Sequence, residues 1–292
     1  MEKTLPTSGT VRLFVENQVG LVIVAAREGE GVHVSIEPDT PGAAELVENA
    51  IVESRSHRGQ DHVVVKIPRM HGMKFIRRNS VTIRVQVPQG SDVATATASG
   101  HVELNGSLGV VDVKTASGDI TADEVEEMQA KTASGDVEVG TVAGELRMQT
   151  ASGDLRCDRV GGRASVRTAS GDVEIGAVAD RVDVKGSSGD VRLGDVAGDL
   201  SITVVSGDIQ VLSVARGRAQ LRSISGAVEV GIARGVALEV DAEAASGTVH
   251  SDIPLHDAPA PAGDDGDRKV VLNVRTVSGN ILVTRAAEAF VR

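Results

Sequence analysis

Six aspartates follow Ser-Gly pairs at near-constant spacing: Asp119, Asp136, Asp154, Asp172, Asp190 and Asp208. Repeated carboxylates of this kind could ligate calcium, because calcium β-rolls also use coils of roughly 18 residues, each built from two Gly-Asp nonapeptides. Calcium takes roughly six to eight oxygen ligands. Each repeat here has a single acidic corner and no second one of the same type, so one column of carboxylates supplies too few. The competing chemistry is local. Short Asp and Ser side chains accept hydrogen bonds from turn amides, which makes the six aspartates structural corners and leaves no metal site.

Other reactive residue types form no constellation. His57, His62 and His71 match no common zinc spacing and have no Cys nearby. Ser99 and His101 have no base placed by sequence, and His101 merely occupies the corner position that Asp takes elsewhere. No Gly-rich phosphate loop precedes a helix. The single cysteine, Cys157, falls on an apolar alternating position and reads as a buried thiol with no disulfide partner. The expectation is therefore a protein that is not an enzyme and carries no catalytic, cofactor-binding or metal residues.

The elements that position the corners follow from spacing. Ser-Gly pairs begin at Ser99, Ser117, Ser134, Ser152, Ser170, Ser188, Ser206, Ser225, Ser246 and Ser278, so successive gaps are 18, 17, 18, 18, 18, 18, 19, 21 and 32. A fixed period marks stacked supersecondary units. Two residues after each Gly stands an aliphatic residue, such as Val137, Leu155, Val173 or Val191, and apolar residues alternate with polar ones on both sides of the pair. That is strand, corner, strand, with one face buried. The fold class is all-β, a β-solenoid (β-helix or prism-like) of about 18-residue coils. The chain has no Trp or Tyr, and its three aromatics, Phe14, Phe75 and Phe290, lie outside the regular repeats, as a narrow aliphatic core requires.

Stacked carboxylates would repel one another. Lys114, Lys131, Arg167 and Lys185 stand five residues before Asp119, Asp136, Asp172 and Asp190, and the outward positions Glu138, Arg156, Glu174 and Arg192 alternate in sign. Both sets are expected to offset the repulsion through cross-strand pairs.

Residues 1–90 read as a less regular N-terminal β segment with one helix insert near 41–55; the turn at Asn17 to Gly20 separates two strands much as the Ser-Gly corners do, which would make the segment continuous with the solenoid. Residues 91–285 hold the repeats, interrupted by a loop at 252–269, and residues 286–292 form a C-terminal cap over the final coil. The net charge of −11 argues against nucleic acid as a partner. One segment departs from it. "RMHGMKFIRR" places Arg69, Met70, Met73, Lys74, Phe75, Arg77 and Arg78 together, a candidate surface for an acidic protein partner or for peripheral contact with an anionic membrane. No apolar leader or transmembrane stretch is visible, so the expected location is cytoplasmic.

The recurring "TASGDV" with "VEVG" and "VAG", the preceding "FVENQVGLVIV" and the final "VRTVSGNILV" resemble the bacterial putative-adhesin family of β-strand-repeat proteins. That family is related to autotransporter adhesin heads and to toastrack modules of cell-envelope stress systems. The resemblance implies a β-helical or prism-like fold with no catalytic or cofactor residues to carry over. The function expected is a non-enzymatic scaffold or protein-interaction module, with cell-envelope stress signalling as its setting. The alternatives are a ligand sensor for cationic peptides or metal ions and a bactofilin-like end-to-end filament former.

Overall fold

The computed structural model describes residues 1–57, 59–68, 79–253 and 269–286. They belong to two compact units, Met1–Ala143 and Gly144–Arg292. The expected loop is described only at its ends, and of the cap only Ala286 is described; Arg69 to Arg78 lie outside the described residues.

The first unit holds β1 (Glu2–Leu5), β2 (Val11–Arg27), β3 (Val32–Pro38), α1 (Ala44–Glu48), β4 (Ile51–His57), β5 (Gln60–Lys66), β6 (Val81–Pro88), β7 (Asp92–Lys114), β8 (Ile120–Lys131) and β9 (Val137–Val142). The segment before residue 91 is part of the coil stack. β2 runs parallel to β7 from Arg12↔Asp92 to Ala25↔Asn105, and its other edge meets β5 and β6, also in parallel. At its bend, buried Asn17 donates from Nδ2 to the Val81 carbonyl at 3.0 Å. β8 continues the parallel ladder from β7 and β9 from β8. Beyond β5 and β6 the strands reverse: β4 pairs antiparallel with β5, β3 with β6, and β1 with β3. The chain thus starts in the outer layer of this unit, at β1, and that layer is made of antiparallel strands that short connections can reach.

The helix is shorter than its composition suggests. A turn at Pro41–Ala43 leads into five residues that bury only Val47, and Ile51 begins β4 instead of closing a helical face. So short a helix cannot repay its nucleation cost, whereas β-branched Ile51 and Val52 gain a full antiparallel ladder against β5.

The second unit holds β10 (Leu146–Gln149), β11 (Leu155–Val160), β12 (Ala164–Ser170), β13 (Val173–Val178), β14 (Val182–Ser188), β15 (Val191–Val196), β16 (Leu200–Ser206), β17 (Ile209–Val214), β18 (Gly217–Ser225), β19 (Val228–Ile232), β20 (Ala237–Ser246), β21 (Val249–Ser251), β22 (Lys269–Ser278) and β23 (Ile281–Arg285). Even-numbered strands from β10 to β18 stack in parallel, and odd-numbered ones from β11 to β19 form a second parallel ladder. Buried columns run through them, for example Val173, Val191, Ile209, Val228 and Ile281. Each such side chain contributes roughly 1.5–3 kcal/mol by leaving water.

The last coils do not stack in sequence order. β22 and β23 lie between the β18–β19 coil and the β20–β21 coil, so the coil ending at residue 285 is not the last in space. The inward positions explain the exchange. β22 offers Val270, Leu272 and Val274, all buried, where β20 offers Leu238, Val240 and Ala242, which stay half-buried. The bulkier coil fills the interior and the weaker one goes to the edge.

Candidate functional site

The Ser-Gly corners are built by hydrogen bonds between side chains and backbone. In the second unit, Asp154 Oδ1 accepts the Asp172 amide at 2.8 Å, Asp172 accepts that of Asp190 at 2.8 Å, Asp190 that of Asp208 at 2.9 Å, and Asp208 that of Ala227 at 2.8 Å. In the first unit, Asp119 Oδ1 accepts the Asp136 amide at 3.0 Å, and His101 Nδ1 accepts that of Asp119 at 3.3 Å. Asp119, Asp154, Asp172, Asp190 and Asp208 therefore each cap the next coil. The glycine beside it is required by the stacking, because a Cβ at Gly135 or Gly207 would run into the carbonyl oxygen of the glycine one coil before.

Two kinds of corner occur, separated by the residue three before the glycine. Where it is Thr115, Thr132, Thr150 or Thr168, its Oγ1 accepts the glycine amide at 2.8–3.0 Å. From Gly186 onward this arrangement ends. Gly189 (φ +121°) and Gly207 (φ +150°) turn with positive φ and donate their amides to the Ser206 and Ser225 carbonyls of the next coil. Thr276 repeats the older residue type inside the newer corner, and among the described residues its buried hydroxyl, like that of Ser223, has no hydrogen-bond partner.

The cations before the corners do not reach them. Lys114 pairs instead with Asp112 at 2.9 Å, and among the described residues Lys131, Arg167 and Lys185 form no ion pair with a corner aspartate. The chain turns between the two positions, so strand and corner side chains point apart. The alternating outward row does pair in part: Arg156 meets Glu174 at 2.9 Å, while Arg192 turns to Asp190 at 2.8 Å.

Among the described residues the reactive candidates do not converge. Among the described residues no group of three or more His, Cys, Asp or Glu side chains is placed to hold a metal ion. His62 lies on β5, and His71 and the side chain of His57 lie outside the described residues, as does the whole candidate surface Arg69, Met70, Met73, Lys74, Phe75, Arg77 and Arg78. Cys157 is buried in β11, and burial pushes its thiol up to about 11. Among the described residues no helix is long and apolar enough to cross a membrane.

A family profile described as Toastrack DUF4097 matches residues 15–177 and again residues 120–284. The chain belongs to this family. The two matches overlap over residues 120–177, as the near-constant repeat length of this Toastrack DUF4097 chain allows. Among curated proteins none matches it. Solved structures similar to it include a "putative lipid binding protein" from Parabacteroides distasonis, 14% identical with a TM-score of 0.39, covering 95% of this chain and 96% of that one. A "putative adhesin" from Bacteroides fragilis is 10% identical with a TM-score of 0.31 over 97% and 96%. A "putative cell adhesion protein" from Clostridium sporogenes is 9% identical with a TM-score of 0.28 over 98% and 99%.

The Toastrack DUF4097 chain also carries a surface groove of about 620 Å³ in its second unit, lined by Arg181, Asp183, Asp199, Arg218, Gln220 and Lys269 among others. Sequence reasoning missed it, because its residues come from strands more than 80 positions apart. Asp199 accepts the Arg218 amide at 3.0 Å and the Arg181 guanidinium at 2.7 Å. Those two bonds, the backbone one first, hold its carboxyl below the usual range. The network offers polar and charged contact.

Proposed function

We propose that this chain is a non-enzymatic interaction module that presents columns of outward side chains to a protein partner, and that it serves cell-envelope stress signalling from the cytoplasm. The observation that carries the reading is the register of the coils. Each outward position becomes a column, such as Arg156, Glu174, Arg192, Gln210 and Glu229, in which equivalent residues of successive coils lie side by side. Stacked repeats of this kind make extended binding faces. The resemblance to toastrack modules supports the signalling part.

A photo-crosslinking residue introduced at outward positions 174, 187 or 210 should trap a protein in native cells, with recurrent adducts of one mass. The same residue at buried position 173 should trap none. Absence of an adduct at every outward position would remove this reading, and an unchanged transcriptional response to envelope-damaging agents in cells lacking the chain would remove its signalling part.

A further inference from the structure

Two neighbouring columns on one face of the second unit are out of keeping with an acidic protein. Arg167 pairs in register with Lys185, Lys185 with Thr203, Thr203 with Arg222, and Arg222 with Arg275. All four cations are exposed. Like charges directly opposite on adjacent strands destabilise a sheet, and here Arg167 faces Lys185 and Arg222 faces Arg275, each across one strand spacing of about 4.8 Å. Among the described residues Arg167, Lys185 and Arg222 form no ion pair, and Arg275 reaches Asp241 and Glu243 only at 3.7 and 3.8 Å.

Two residues further along each strand, on the same outer face, runs the second column. It holds Ala169 and Ser187, and then Val205, Ile224 and Val277, which are 46%, 52% and 54% exposed. The flanking pairs Val204↔Ser223 and Ser206↔Ser225 set Val205 beside Ile224, and Ser223↔Thr276 and Ser225↔Ser278 set Ile224 beside Val277. The same position is Ala98, Ala116, Ala133, Ala151 and Ala169 in earlier repeats. In these coils the alanine is replaced by large aliphatics that stand in water, two of them on the strands that carry Arg222 and Arg275.

We propose that these two columns dock an acidic amphipathic α-helix of a partner protein, laid across the strands along the direction of stacking. The proposal rests on the interaction-module reading and names its surface. The coil repeat is about 4.8 Å, and residues at i, i+3 and i+4 of a helix advance about 4.5–6 Å, so one acidic stripe can follow the cations and an adjoining aliphatic stripe can cover Val205, Ile224 and Val277. Alternate residues of an extended strand advance about 6.6–6.8 Å and fall out of step. Four coil steps from Arg167 to Arg275 span about 19 Å, the length of a helix of about 13 residues. A flat anionic bilayer fits less well. The apolar column is one residue wide, and around the corner from it stand the carboxylates of Asp172, Asp190 and Asp208.

The test uses the full chain and a capped, fluorescent 14-residue peptide with Glu in one helical stripe and Leu in the adjoining one. Its control is a scrambled peptide of the same composition. The helical peptide should bind saturably and more weakly as salt rises, and the scrambled one should not. The R167Q/K185Q/R222Q variant should weaken binding about tenfold or more while its melting temperature stays level or rises, because like-charge repulsion is relieved. The I224T/V277T variant should weaken binding without flattening the salt dependence. Equal binding of both peptides, equal binding by wild type and the triple variant, or capture by phosphatidylglycerol vesicles in place of the peptide would each overturn the proposal. Cellular crosslinking separates the two readings. An adduct formed equally by wild type and R167Q/K185Q/R222Q removes only this surface, whereas no adduct from either removes the module itself.

Discussion

Asp190 Oδ1 accepts the backbone amide of Asp208, one coil on, at 2.9 Å. The contact needs an acceptor and not a charge. Asp190→Asn keeps a carbonyl oxygen at that position and should melt within a degree or two of the parent. Asp190→Ala leaves the Asp208 amide to water and should cost about 0.5–1.5 kcal/mol. Equal melting of the two variants, read by circular dichroism, would show that the corner acceptor contributes nothing.

The threonines give a sharper comparison within one chain. Thr168 Oγ1 accepts the Gly171 amide at 2.8 Å, whereas the Thr276 hydroxyl is buried without a partner. Removing a used acceptor strands a donor, and removing an orphan hydroxyl relieves a desolvated group. Thr168→Val should therefore lower stability by about 1 kcal/mol, and Thr276→Val should leave it unchanged or raise it. Denaturant midpoints decide the matter, and the reverse order of the two variants would refute the two-corner description.

The repeats were legible because burial at period two and a glycine forced by coil-to-coil contact leave marks at every copy. Val173 and Gly171 carry those marks in their own residue types. The order of the last coils was not legible, since β20 and β22 share the same alternation and differ in inward bulk only at Ala242 and Ala244 against Val274 and Thr276. Nor was the failure of Arg167 and Lys185 to meet the corner carboxylates. A separation of five residues in sequence says nothing about a bend between them. The change of corner type had a signal, the loss of threonine at Gly186 and Val204, but its meaning depends on where the Gly189 and Gly207 amides point.

Cys157 carries a pH prediction. Burial is the main cause that pushes its thiol up to about 11, so the folded chain holds the proton more tightly than the unfolded chain, whose thiol titrates at roughly 8.5. A raised acid contributes stability that is fully present below the unfolded value and is lost as pH rises towards the folded one. The native protein should resist Ellman's reagent at pH 8, react only on unfolding, and lose stability between about pH 9 and 11. Cys157→Ala should flatten that alkaline slope. Rapid, complete labelling of the folded protein at pH 8 is the outcome that contradicts a buried thiol.

The edge strand β20 sets the last prediction. Among the described residues it has a partner strand, β22, on one side only, and a long edge with free amides and carbonyls invites a second chain to pair. Its outward side chains are Glu239, Asp241 and Glu243, exposed and alternating with half-buried Leu238, Val240 and Ala242. All three acids are held by β22: Lys269 lies 2.8 Å from Glu239, which keeps that carboxyl below its usual range, Asn273 donates to Asp241 at 2.8 Å, and Arg275 lies 3.8 Å from Glu243. A second copy pairing along this edge would set acids against acids, so the charges act against self-association as well as for cohesion with β22. Replacing all three with Thr keeps β propensity and removes the repulsion. The variant should scatter light at a higher mass than the parent at equal concentration, and adding salt, which screens the parent's edge charges, should move the parent in the same direction. If the variant keeps the parent's mass at every concentration, those acids do not guard the edge.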